Sequence, residues 1–418
     1  MELLYMKNFE EFNTFLVQNV GSKTRAIAPT ITPSAAFGYE DAMEAEAIFS
    51  GNSQNPLYAR MGNPTNAKLE TLMAKLEGGS AAIATSSGMG AISMVLTAFL
   101  ESGDEVLCVG GFFGGTYTLV NETLARFGVK GIFVDVDEMD KIETHLKSGI
   151  KMVVVESVGN PNLKLPQLQK TIDLCNYHDT VVVVDNTVTP LLLQPLKMGA
   201  DIVVYSSTKI ISGHSGALGG IAVFREAQEE DKLQHDKYKS IHGILTKAKS
   251  KAFFAICKKR ALRDFGMSAN AFGSFLTLLG LETLALRTQR VNDSVQKLAK
   301  ILHTELKGVV VRHPSLNTHE HHDRFNTEFP DGCGPMLTLD CGSKERAFSL
   351  LDNTKLITQT ANIGDNRTLA LHMRSTIYRD FTLDQCAFLG ISDGLIRVSM
   401  GLESYEDIAK DFMQANLS

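Results

Sequence analysis

Val181-Val182-Val183-Val184-Asp185-Asn186-Thr187 and Ile202-Val203-Val204-Tyr205-Ser206-Ser207-Thr208-Lys209 are the two stretches on which the fold reading turns. Each opens with a short β-branched apolar run in which no polar residue alternates, the pattern of a strand buried on both faces. Glu105-Val106-Leu107-Cys108-Val109, Gly131-Ile132-Phe133-Val134 and Met152-Val153-Val154-Val155 repeat it. Amphipathic segments of helix length separate these runs from about residue 65 to 225, which predicts an α/β domain built on a mostly parallel sheet. The 24 residues from Asp185 to Lys209 are read as one strand-helix-strand unit, bringing both side chains out at the same sheet edge. Open sheets of this kind bind ligands beyond the carboxyl ends of their strands.

Working outward, residues 20 to 64 carry Pro29, Pro33, Pro56 and Pro64 among glycines and asparagines and are too broken for a core element. Residues 1–64 are therefore expected to form an arm that packs on something else. The sheet domain is expected over 65–260, including a lysine- and glutamate-rich helical stretch after Phe224. Leu276 to Arg287 and Val291 to Leu302 read as long helices, and Met336 to Asp340 and Leu395 to Ser399 as strands. Together they predict a smaller C-terminal α+β domain over 261–418. No internal repeat or low-complexity tract is visible.

With 418 residues, 44% hydrophobic and 21% charged, the chain is globular and long enough for two domains. Lys+Arg is 41 against Asp+Glu 47, a net charge of -6, which argues against a nucleic-acid or anionic-membrane partner. Cys108, Cys175, Cys257, Cys333, Cys341 and Cys386 form no CxxC pair and read as reduced core thiols. Met1-Glu2-Leu3-Leu4-Tyr5-Met6-Lys7 does not resemble a signal peptide, and no apolar run reaches the roughly 20 residues of a membrane span. The expected location is the cytoplasm.

Lys209 sits just after a buried strand and before Gly213, Gly216, Gly219 and Gly220. A lysine at that edge can be desolvated into a nucleophilic amine, although a solvated loop lysine fits the same pattern. Asp185 ends its own strand, and its plainer reading is a turn or N-cap residue. A strand-end lysine and carboxylate together are what a pyridoxal phosphate site needs. The lysine forms the Schiff base, and the aspartate keeps the pyridine nitrogen protonated. Thr85-Ser86-Ser87-Gly88-Met89-Gly90, between an apolar run and a helical pattern, offers backbone N–H groups to a phosphate. Ser206 and Thr208 add hydroxyls from the other side.

These motifs, with Tyr58-Ala59-Arg60-Met61-Gly62-Asn63-Pro64-Thr65, Glu156-Ser157, Asn160-Pro161, Gly213-His214-Ser215 and Arg397-Val398-Ser399-Met400-Gly401-Leu402-Glu403, resemble the Cys/Met-metabolism family of pyridoxal phosphate enzymes. The likeness runs in order from about residue 20 to 410. It implies the aspartate-aminotransferase-type fold (fold type I), with the cofactor domain over 65–260. It also implies Lys209 as Schiff-base lysine and proton shuttle, Asp185 on the pyridine nitrogen, and Gly88, Met89, Ser206 and Thr208 around the phosphate. Phe113 would stack on the ring, with Asn160 near the 3′-oxygen and Thr187 near the ring. Tyr58 and Arg60 would reach the phosphate of a neighbouring subunit in a homo-oligomer, a tetramer built as a dimer of dimers. Arg397 would hold the substrate α-carboxylate with its planar, always-charged fork, and Asn362 and Arg374 would lie near the substrate.

Leu262 to Gly266, Leu279 to Arg287 and Asn362-Ile363-Gly364-Asp365 are most similar to the O-acetylhomoserine sulfhydrylase branch. That branch implies γ-replacement in methionine biosynthesis: an activated homoserine ester and a sulfur donor, sulfide or a sulfur-carrier protein, give homocysteine. The runner-up is a methionine or cystathionine γ-lyase, and a third reading is a cofactor-binding protein that has lost catalysis.

Two departures bear on this. Phe113 stands where the family usually has tyrosine, which favours an ester over a thioether substrate because a carboxylate leaves without help from an acid. His372-Met373-Arg374-Ser375 stands where the family tends to have His-Pro-Ala-Ser, so Arg374 either adds charge near the distal end of the substrate or faces solvent. His319-Glu320-His321-His322 is read as a solvated loop rather than a metal site, and the lysines from 247 to 259 as a solvated helix face.

Overall fold

The computed structural model describes residues 6, 8–21, 26–53 and 55–416. Apart from Met6, the amino-terminal stretch read above for a leader lies outside them. Seven strands, β1 (Ala81–Thr85), β2 (Glu105–Val109), β3 (Lys130–Val134), β4 (Met152–Glu156), β5 (Val181–Asp185), β6 (Ile202–Tyr205) and β7 (Gly220–Phe224), form one sheet in the order β1-β7-β6-β5-β4-β2-β3. Only β7 runs against its neighbours. The carboxyl ends of β1, β2, β4, β5 and β6 therefore share one edge.

Alternation within the valine runs feeds two cores at once. Val181 and Val183 pack with Val106, Cys108 and Val154 under the helices Gly88–Phe99 and Ala252–Cys257. Val182 and Val184 pack with Leu107, Val109 and Val153 under Met139–Lys147 and Leu168–Tyr177. Burial on both faces is why these strands carry no polar alternation.

The link from β5 to β6 differs from expectation, because residues 186–201 form turns rather than a helix. Pro190 and Pro195 each remove a backbone donor that a helix needs. The two side chains still emerge together, since β5 and β6 are adjacent and parallel.

Five further strands, β8 (Val310–Arg312), β9 (Met336–Asp340), β10 (Thr358–Gln359), β11 (Leu369–His372) and β12 (Leu395–Ser399), pair in the order β10-β11-β12-β9-β8. β12 is the central strand, and its Ile396 and Val398 face the C-terminal core while Arg397 points to the other face.

The expected border at 260/261 is not where the cores divide. Ala261 and Leu262 belong to the core of the large sheet. The helix Leu284–Glu305 spans the divide, with Leu284 and Ala285 packed beside β6 and β7 and Val295, Leu298 and Leu302 in the C-terminal core. The single helix expected from Leu276 to Arg287 is likewise two, broken at Glu282-Thr283. There the Gly280 carbonyl is drawn to the guanidinium of Arg287 at 2.7 Å.

The arm also divides. Helix Phe9–Val20 buries Phe12, Leu16 and Val20 against Leu69, Leu278 and Leu281 of its own chain. The proline-rich part after residue 26 carries the exposed apolar side chains Ile27, Met43 and Phe49.

Candidate active site

Asp185 ends β5 and accepts the Thr187 N–H at 3.0 Å, while the Thr187 hydroxyl accepts the N–H of Ser206 at 2.8 Å. These bonds tie the ends of β5 and β6 into one floor. Burial pushes the Asp185 carboxyl above its ordinary range, and the bonds from Thr187 pull it part of the way back. Lys209 rises from the turn after β6, and burial, helped by the nearby Arg397, lowers its ammonium from 10.5 to about 8. Its Nζ donates to Asn362 Oδ1 at 2.6 Å.

Beside this floor the helix Gly88–Phe99 begins on Ser87, whose Oγ accepts the Gly90 N–H at 2.9 Å. The first-turn N–H groups of Gly88 and Met89 lie beyond the reach of intrahelical acceptors. A side chain at Gly88 would meet Ser206 Cβ at 2.6 Å, so glycine lets the two strand ends close together. Thr208 exchanges bonds with Gly219, accepting its N–H at 2.9 Å and donating to its carbonyl at 3.2 Å. That hydroxyl holds the loop as well as facing the cleft.

One cleft is lined by Gly88, Met89, Phe113, Asn160, Asp185, Thr187, Ser206, Thr208, Lys209 and Arg397. Arg397 is 3% exposed and donates to Asn160 Oδ1 at 3.0 Å and to the Asn362 carbonyl at 3.3 Å. Burial lowers it to about 10, and no carboxylate pairs with it among the described residues. Buried Arg287 also lacks a carboxylate contact, but Thr283 and the carbonyls of Ile210, Ile211 and Gly280 satisfy it. Arg397 instead turns an under-satisfied guanidinium toward the cleft. Asn362 links the two cations, its side chain on Lys209 and its carbonyl on Arg397.

Tyr58, Arg60, Arg374 and the histidine loop stand apart from this cleft, and Asn362 reaches it only through its bonds to Lys209 and Arg397. Tyr58 is 42% exposed with Arg60 over its ring at 5.3 Å, and neither lines the cleft of its own chain. Arg374 is half-buried beside Lys344 and Arg379 in a separate surface pocket, its guanidinium donating to the carbonyls of Tyr378 at 2.7 Å and Arg379 at 3.1 Å. In the histidine loop, His321 accepts the Leu165 N–H at 2.9 Å and meets Asp137 through its other nitrogen at 2.9 Å. It serves as packing between the domains. The sequence marks Glu156 only as part of the resembling Glu156-Ser157 motif, with no role attached, and the structure places it in the cleft beside Asp185.

The donor set fits pyridoxal phosphate. Asp185 is a half-buried acid whose side-chain bonds come only from Thr187 among the described residues, and a pyridinium N–H is the counter-cation it lacks. Lys209 is an amine of lowered basicity, and the Gly88 and Met89 N–H groups with the Ser206 hydroxyl suit a phosphate.

The chain is 32% identical over 420 residues to a homocysteine synthase of Schizosaccharomyces pombe, covering 98% of each. It is 32% identical over 391 residues to an L-methionine gamma-lyase of Fusobacterium nucleatum, covering 93% of each. A crystal structure described as an O-acetylhomoserine (thiol)-lyase from Campylobacter jejuni, containing N'-pyridoxyl-lysine-5'-monophosphate, superposes with a TM-score of 0.91 at 31% identity, covering 97% of this chain and 100% of that one. The family model for Cys/Met metabolism PLP-dependent enzymes matches residues 13–416. With Lys209, Asp185 and Arg397 gathered in one cleft, the chain belongs to the Cys/Met metabolism PLP-dependent enzyme family.

Proposed function

We propose that the chain catalyses γ-replacement on O-acetylhomoserine, taking sulfide and releasing homocysteine and acetate. The observation that carries this reading is Arg397, a buried cation without a carboxylate partner that opens on the same cleft as the low-basicity amine of Lys209. In this reading Arg397 holds the α-carboxylate bidentately. Lys209 removes the proton from Cα and returns protons along the carbon chain. Asp185 holds the proton on the ring nitrogen. Pyridoxal phosphate, when bound, supplies the electron sink conjugated to Cα.

The leaving group and the nucleophile follow from what else lines the cleft. Its titratable groups are Lys209, Arg397, Asp185 and Glu156, with no tyrosine, histidine or cysteine among the described residues. Glu156 is already occupied by two backbone N–H groups. Few acids are thus at hand for a departing group. A carboxylate, whose acid has a pKa of about 4, leaves unaided, whereas a thiolate, at about 8.5, gains more from protonation. An ester therefore suits the site better than a thioether, which favours γ-replacement over thioether cleavage by a γ-lyase. Among the described residues Lys209 and Arg397 are the only cations that line it from its own chain, and an Arg60 supplied by a neighbour would be engaged by the cofactor phosphate, so a succinyl ester or a cysteine donor would bring a second carboxylate with no partner. This supports acetyl as the acyl group and sulfide itself as the donor.

Tyr58 and Arg60, outside their own cleft, support a homo-oligomer in which they reach a neighbour's phosphate, and a dimer of dimers fits that role. Six buried free thiols support a cytoplasmic setting, and among the described residues no helix is long and apolar enough to cross a membrane.

Incubation of the cofactor-loaded protein with O-acetylhomoserine, with and without sulfide, tests the reading. Homocysteine should dominate when sulfide is present, with only slow 2-oxobutanoate formation without it. Equal 2-oxobutanoate production in both mixtures would make the protein a γ-lyase.

A further inference from the structure

Glu156 closes β4 directly beside Asp185, in parallel register with it. It is buried in the wall of the cleft, and no lysine or arginine pairs with it among the described residues. A buried carboxyl without a cation is a costly arrangement, and the cost asks for a use. Its two oxygens show one. Oε1 accepts the Phe113 N–H at 2.8 Å, and Oε2 accepts the Asn160 N–H at 3.3 Å.

Each of those N–H groups belongs to a residue that shapes the cleft. Phe113 begins the short helix Gly114–Thr118, which has no side-chain cap bond of its own, so the loop leading into it is held by Glu156. Asn160 carries Arg397 on its Oδ1 at 3.0 Å, and its carbonyl accepts the Tyr378 hydroxyl at 3.1 Å. A single side chain thus reaches the aromatic wall directly and the carboxylate clamp through one intermediate.

We propose that Glu156 is a positioning residue that spans the β2 and β4 loops, fixing the ring of Phe113 and, through Asn160, the guanidinium of Arg397. The proposal rests on reading the cleft as a pyridoxal phosphate site. A carboxyl group is required because both of its oxygens must accept. Glutamine keeps the volume but offers one acceptor, and its NH2 would face an N–H donor.

The test compares Glu156→Gln and Glu156→Asp with the parent in the full-length cofactor-loaded protein, with circular dichroism confirming the fold. For Glu156→Gln we expect KM for the amino-acid substrate and Kd for pyridoxal phosphate each to rise about tenfold, the loss of one buried hydrogen bond, with kcat within about threefold. Glu156→Asp keeps both acceptors and should recover part of each loss. In an Asn160→Ala background, Glu156→Gln should add little to KM, because the two residues act through one chain of bonds. A Glu156→Gln protein whose KM and cofactor Kd stay within about twofold of the parent overturns the proposal. So does a loss confined to kcat, or fully additive effects with Asn160→Ala. The parent's own cofactor absorbance separates the two levels: a parent that binds no pyridoxal phosphate refutes the reading of the cleft, whereas a parent that binds it beside an indifferent variant refutes only the role of Glu156.

Discussion

In the proposed γ-replacement, Phe113 is the side chain of the cleft that bears most on substrate choice, because a tyrosine there would supply a phenol, an acid that the described lining of the cleft otherwise lacks. General acid catalysis by a positioned side chain contributes about a hundredfold or more. Phe113→Tyr should therefore raise kcat/KM for cystathionine cleavage at least about tenfold while changing O-acetylhomoserine turnover little. Parallel assays of both substrates check this, and an unchanged ratio would remove Phe113 from the account. At this scale the sequence is readable where chemistry demands an unusual residue: Lys209 and Asp185 stand at strand ends, and Arg397 interrupts an apolar strand. Glu156 was opaque because its meaning lies in two N–H groups, one of them 43 residues away in the chain. Arg374 left two readings open, and its guanidinium is taken up by carbonyls four and five residues further on, in a turn away from the cleft.

The helix Pro64–Glu77 shows what an element adds. Its Glu70 and Glu77, two turns apart, are both held near pH 7 by burial. Glu70 accepts the Ala84 N–H at 2.9 Å, and Glu77 takes the hydroxyl of Tyr205. A carboxyl at about 7 in the fold and 4.5 when exposed keeps its proton through that window after the unfolded chain has lost its own. Stability therefore falls as pH rises from 4.5 to 7 and stays reduced above it. Glu77→Gln, which still offers an acceptor to Tyr205, should melt about 2 °C above the parent at pH 8 and level with it near pH 4. Melting curves at the two pH values test this, and a gap of the same size at both would contradict it. Buried acids on a helix whose pattern looks amphipathic are invisible to periodicity. The β5–β6 turns, by contrast, were readable in Pro190 and Pro195, and the strand-helix-strand expectation passed over them.

For the whole molecule, the strands and the sheet type were legible because burial on both faces writes itself as uninterrupted valine. The domain border was not, because the helix Leu284–Glu305 has one continuous apolar stripe that serves two cores in succession. Only the packing shows where one core gives way to the next. The arm was half legible: its prolines mark the exposed part, while Phe12, Leu16 and Val20 belong to the chain's own core. All of these elements converge on the placing of Lys209 in one cleft with Asp185 and Arg397, and that placing is the central claim. Borohydride reduction of the cofactor-loaded protein, followed by peptide mass mapping, tests it most directly. The account predicts a pyridoxyl group on Lys209 alone and none in Lys209→Ala, whereas an adduct on another lysine, or one that persists in Lys209→Ala, would contradict it.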